Sequence, residues 1–208
     1  MRRSFFFFFL ISLKIGILAQ LFHGGILVGI SASQVDGDSY AGFNKPGLQG
    51  GVFVSTILTG HLEARLEIKY TGRGARNPAS DDNTGAYKLG LHYIDLPVLV
   101  TILIKQPVSV ELGLVPGYLF AAQGEDDAGK LPEDYLVAFK KFDLGTLVGL
   151  NIQVFPKAEL NIRYSYSIFS IRDPESAGSY YSWFGKLFGH SKGDFNNYIT
   201  VGFNYLLK

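Results

Sequence analysis

Glu63, Arg65, Glu67 and Lys69 occupy every second position of one segment, and Asp95, Glu111, Asp143 and Arg163 sit singly among apolar neighbours in others. Two-residue spacing puts the members of a segment on one face of a strand. Five acids and three bases on a shared inner face would form a paired network, because a desolvated charge requires a partner. Mixed signs favour a plug, whereas a selective channel gathers one sign at a constriction. Two other patterns with chemical potential are weaker. Gly124-Glu125-Asp126-Asp127-Ala128-Gly129-Lys130 has the outline of a phosphate loop, but Leu131 stands where Ser or Thr is required and three acids fill the loop. It reads as a solvated loop. His23, His61, His92 and His190 lie far apart with no metal-ligand spacing, so neither a metal nor another cofactor is expected.

Eight such positions have to be held by a fold, and composition narrows the choice. The chain has 208 residues, enough for one sizeable domain, with 19 Lys+Arg against 18 Asp+Glu. That balance, without any basic block, gives no electrostatic case for nucleic acid. The absence of cysteine removes disulfides, thiolate metal sites, thiol nucleophiles and a lipid-bearing cysteine. Charged residues are only 18%, beside 25 Gly, 17 Phe and 12 Tyr, which suits a β protein and neither a disordered chain nor a helical bundle.

Residues 1–19 read as a signal peptide: Arg2 and Arg3, then an apolar run from Phe5 to Leu13, with cleavage near Ala19. Lys14 interrupts the run, and an uncleaved anchor over Phe5 to Phe22 is the other reading. Cleavage removes Arg2, Arg3 and Lys14 and no acid, leaving 16 bases against 18 acids in residues 20–208. No later segment approaches the roughly 20 apolar residues of a spanning helix.

Residues 20–208 divide into about eight extended segments: Gly25–Gln34, Gly47–Leu58, His61–Gly74, Ala86–Ile104, Val108–Ala122, Ala138–Phe155, Ala158–Ile171 and Asp194–Leu207. Leu62, Ala64, Leu66, Ile68 and Tyr70 alternate with the four charges of the third segment, and the seventh and eighth alternate in the same way. The connections alternate in length: Thr59-Gly60, Lys105-Gln106-Pro107 and Pro156-Lys157 are tight, and those between are long and polar. This layout predicts an all-β fold, an eight-stranded antiparallel closed transmembrane β-barrel with short periplasmic turns and long extracellular loops. Charges facing lipid would each cost on the order of 2–4 kcal/mol near the midplane, less for acids, so the charged face points inward. Small residues on that face (Gly51, Gly113, Gly117, Gly145, Gly149, Gly202) leave room for the long ones. A soluble barrel would leave the other face, rich in Leu, Val, Ile and Tyr, without a partner.

Gly42-Phe43-Asn44-Lys45-Pro46-Gly47 followed by Gly50-Gly51-Val52-Phe53, Tyr93-Ile94-Asp95-Leu96-Pro97 and Gly113-Leu114-Val115-Pro116-Gly117-Tyr118 resemble the PorT-like outer-membrane β-barrel family of the Bacteroidetes. The resemblance runs from about Ile26 to Leu207. It implies a cell outer membrane location, contact with outer-membrane lipid and lipopolysaccharide, and, for the name-giving protein, a part in secretion of cargo. Three functions follow as expectations. The first is a non-enzymatic barrel with a charge-filled lumen and a structural or surface-interaction role. The second is an accessory secretion component, and the third a lipid-modifying enzyme using His92 with loop Ser or Asp residues. The acidic pairs Asp36/Asp38, Asp81/Asp82 and Asp126/Asp127 read either as solvating loop charges or as divalent-cation sites shared with lipopolysaccharide phosphates. Thr200, Gly202, Tyr205 and Leu207 look like the terminal signal read by the barrel-assembly machinery, or a plain alternating closing strand. Tyr180, Tyr181, Trp183, Phe184, Leu187 and Phe188 predict an aromatic helix at the membrane surface or barrel mouth, or a loop packed on its neighbours, and a candidate partner surface.

Overall fold

The computed structural model describes residues 22–38, 40, 42–78, 85–172 and 193–207. The leader over residues 1–19, Asp81/Asp82, His190 and the aromatic residues from Tyr180 to Phe188 lie outside the described residues. The elements are β1 (Phe22–Asp36), β2 (Lys45–Thr59), β3 (Leu62–Asn77), β4 (Tyr87–Asp95), β5 (Val98–Lys105), β6 (Val108–Asp126), β7 (Gly129–Lys130), α1 (Glu133–Val137), β8 (Phe142–Phe155), β9 (Ala158–Ser167) and β10 (Phe195–Leu206). No helix among the described residues is long and apolar enough to cross a membrane.

Every strand pairing is antiparallel, and β1 pairs with β10 from Gly25↔Leu206 to Asp36↔Phe195, which closes the sheet and removes its edges. The ring runs β1, β2, β3, then β4 and β5 as two halves of one strand, then β6, β8, β9 and β10. Eight strands therefore close the barrel. The segment Ala86–Ile104 is interrupted at Leu96-Pro97, because Pro97 has no N–H to give to a ladder. The neighbours compensate: Leu96 N donates to the Pro116 carbonyl, and Glu67 N to the Pro97 carbonyl. The two-residue β7 and the single-turn α1 interrupt what reads in sequence as a polar loop.

Ile26, Val28, Ile30, Val52, Val54, Leu66, Ile68, Ile162, Tyr164, Val201 and Phe203 face outward and are exposed, while the residues between them face in. Only a hydrocarbon surrounding gives such a wall its partner. Inside, the strands approach so closely that a Cβ at Gly113 would collide with the Val98 carbonyl oxygen, and one at Gly51 with that of Ile68.

Toward the long-loop end the inner face changes character. Tyr87, Leu89, Leu91 and Tyr93 of β4 point inward and pack with Val35, Ala75, Leu119, Phe139 and Ile171, while Tyr135 and Leu136 of α1 cover them. The inward face is thus largely polar through the membrane, apart from a small patch of Leu99, Val115 and Leu147, and apolar above it.

Candidate functional site

Three charged layers cross the lumen. In the middle, Arg163 on β9 donates Nη1 and Nη2 to Glu67 of β3, at 2.9 and 2.8 Å, and Nε and Nη2 to Glu111 of β6, at 2.5 and 3.2 Å. Lys69 stands 3.8 Å from Glu67 and donates to Gln49 at 3.1 Å. These side chains are essentially fully buried. One cation between two acids, with a second cation alongside, makes the layer locally neutral.

The next layer outward is built on Arg73. Its guanidinium bonds Asp95, donates to Asp143 at 3.0 Å, and lies over the rings of Tyr93 and Tyr198 at 4.4 and 4.2 Å. Ser167 and Asn196 each donate to the same Asp143 oxygen at 2.9 Å. The third layer lies at the short-turn mouth. Arg65 donates to Glu63 at 3.1 Å and Glu159 at 3.0 Å, and both acids stay partly open to solvent. A cavity of about 320 Å³ opens here, lined by Arg65, Glu63, Glu159, His23 and His61 among others.

All eight strand charges singled out in the sequence therefore sit on the inner wall, but they divide among three layers. Arg73 and Glu159, which the sequence reading leaves out, complete two of those layers. The signal for both is the same two-residue period: it continues from Lys69 through Thr71 to Arg73, and back from Arg163 through Asn161 to Glu159. Of the closing-strand residues, Thr200 is buried on the inner face, Gly202 lies under Asn161 and Gln49, and Tyr205 and Leu207 are exposed on the outer face. His92 points out of the barrel: its Nδ1 is 2.7 Å from the Tyr70 hydroxyl and its Nε2 3.3 Å from Gln123 Nε2. Among the described residues no group of three His, Cys, Asp or Glu could hold a metal ion.

At the extracellular rim, Arg172 lies over Tyr135 at 3.9 Å and Phe139 at 5.3 Å and reaches Asp194 at 3.5 Å. Beyond the end of β1, burial pushes the Asp38 carboxyl up to about 7, with the neighbouring Asp194 and Asp36 charges adding to it against the Tyr40 N–H. Between the ordinary carboxylate range and about pH 7 the folded protein therefore binds a proton that the unfolded chain does not, so this group favours folding as pH falls through 7. Asp38→Asn, which mimics the protonated form, should melt higher than the parent at pH 8, by a smaller margin at pH 5, and equal it only below the ordinary carboxylate range. A constant difference between those pH values would remove this assignment.

The family model described as "Outer membrane protein beta-barrel domain" matches residues 18–173. Among solved structures, Ail, the attachment invasion locus protein of Yersinia pestis, in complex with the heparin analogue sucrose octasulfate, is 15% identical. That match covers 89% of this chain and 99% of that one, with a TM-score of 0.49. Neisserial surface protein A is 14% identical, covering 88% and 95%, with a TM-score of 0.46. None of the curated proteins compared matches the chain significantly.

Proposed function

Since this chain belongs to the outer membrane protein beta-barrel domain family, we propose that it serves there as a small non-enzymatic barrel, closed to solutes, with a structural or surface-interaction role at its extracellular loops. The observation that carries this reading is the double closure of the lumen. Paired charges fill it through the membrane, and an apolar cluster seals it above. Moving an ion through would require breaking buried pairs and then crossing a dry layer. Planar-bilayer recordings of the purified barrel should show no steady conductance steps, and a reproducible open level would overturn the reading.

An accessory role in secretion, as in the PorT-like family, is the second reading. The motifs support it only by resemblance, and they also serve the fold locally. Asp95, Leu96 and Pro97 form the strand break, and Gly117 leaves room for Asp95, whose Oδ1 would lie 2.6 Å from an added Cβ. Crosslinking in cells, with a photoreactive group at position 183 within the aromatic segment, tests both the partner surface and this reading. Capture of no envelope protein would leave both unsupported.

Thr200, Gly202, Tyr205 and Leu207 are proposed as the signal for the barrel-assembly machinery, supported by the outward placement of the last two. Tyr205→Asp with Leu207→Asp should leave periplasmic aggregates, and normal insertion of that double variant would sink the assignment.

A further inference from the structure

Above the lipid-facing band, the outer wall of β3 and β4 carries cations that form no ion pair among the described residues. Arg76 and Lys88 stand directly opposite each other in the β3–β4 register, and both are exposed. Like charges placed so destabilise a sheet. The charges close enough to act on Lys45, at the start of β2, are Lys88 and Arg76, both cations. None of the three makes an ion pair among the described residues. Glu125 stands directly across from Lys88 on β6, and with Asp126 it lines the same cleft as Arg76 and Lys88, but neither acid forms an ion pair with them among the described residues.

Directly below lies an aromatic platform. The Tyr70 and His92 rings stack with centroids 5.9 Å apart at 21°, and Phe120 leans on both at 6.2 and 6.1 Å. Glycine at 72 and 90 lets them lie against the wall, since an added Cβ would come within 3.2 Å of the Tyr70 hydroxyl or of Gln123. Aromatic girdles mark the membrane–water interface. Four residues of strand, at about 3.3 Å each and tilted about 40°, raise Lys88 about 10 Å above His92. That is the level of the phosphorylated sugars that head an outer-leaflet glycolipid.

We propose that Arg76, Lys88 and Lys45 hold a phosphate of a glycolipid headgroup in the outer leaflet, with its sugar resting on the Tyr70–His92 platform. The anion turns the Arg76–Lys88 repulsion into two charge-assisted bonds. Outer-leaflet lipid is the source rather than free phosphate, because the platform beneath the cations faces the bilayer. This inference requires the outer-membrane placement but not the closed lumen, so a conducting barrel would leave it standing.

Native mass spectrometry of the full chain in detergent, titrated with diphosphoryl lipid A and with its dephosphorylated form, provides the test. The parent should retain the diphosphoryl form preferentially. Removing one basic contact lowers affinity by about fivefold, so Arg76→Gln with Lys88→Gln should lose more than about tenfold. Lys105→Gln with Lys157→Gln, the same charge change at the periplasmic turns, should lose nothing. Heat-modifiable migration in gels verifies folding. Should the first double variant fail to fold, Glu125→Gln provides the second reading and should bind more tightly. Equal retention by parent and Arg76/Lys88 variant, equal loss in the periplasmic control, no gain with Glu125→Gln, or displacement of the lipid by inorganic phosphate would each overturn the proposal.

Discussion

Arg163→Met should lower the stability of the folded barrel by about 3–5 kcal/mol, the cost of removing one partner from a buried ion group. The substitution keeps roughly the volume of the side chain but leaves Glu67 and Glu111, both fully buried, facing each other with Lys69 as the remaining cation. Their oxygens lose four charge-assisted hydrogen bonds at once. Reversible urea unfolding in detergent or lipid vesicles measures the loss. Adding Glu67→Gln and Glu111→Gln to Arg163→Met should recover most of it, because neutral amides carry a far smaller desolvation cost than carboxylates. An unchanged midpoint for the single variant, or no recovery in the triple, would show that the layer is not held by these charges.

Arg73→Met should cost a similar amount, and the accompanying Arg73→Lys separates the contributions. Methionine loses the bonds to Asp95 and Asp143 and the stacking on Tyr93 and Tyr198. Lysine keeps a charge but neither the planar fork nor the ring stacking, so it should fall between methionine and the parent. Equal stability of lysine and arginine would mean that only the charge matters. Arg65 provides the contrast. Its acids Glu63 and Glu159 keep 28% and 21% side-chain exposure at the periplasmic mouth, so water can re-solvate them, and Arg65→Met should cost less than either.

The amino-acid sequence by itself determined the eight-strand count, the alternation of short turns with long loops, and the face that carries the charges. Each of these rests on local patterns: period two, turn residues, and the cost of a charge in hydrocarbon. Leu62 to Tyr70 shows all three within a few residues. Arg73 is harder to read because Gly72 and Gly74 flank it and resemble the start of a loop. Gly74 does take a φ of +135°, yet the strand continues to Asn77. Only the tertiary structure decided how the charges are grouped, since Arg163, Glu67 and Glu111 come from three different strands and meet through ring closure and register. It alone also decided where the inside turns apolar. In β4 the alternation that puts Asp95 inward also carries Tyr93, Leu91, Leu89 and Tyr87 inward, so one face of one strand passes from charged to apolar. Alternation defines two faces and leaves open which is wet. Above His92 in β4 the barrel rises out of the membrane, water replaces lipid on the outer wall, and the preference of each face reverses.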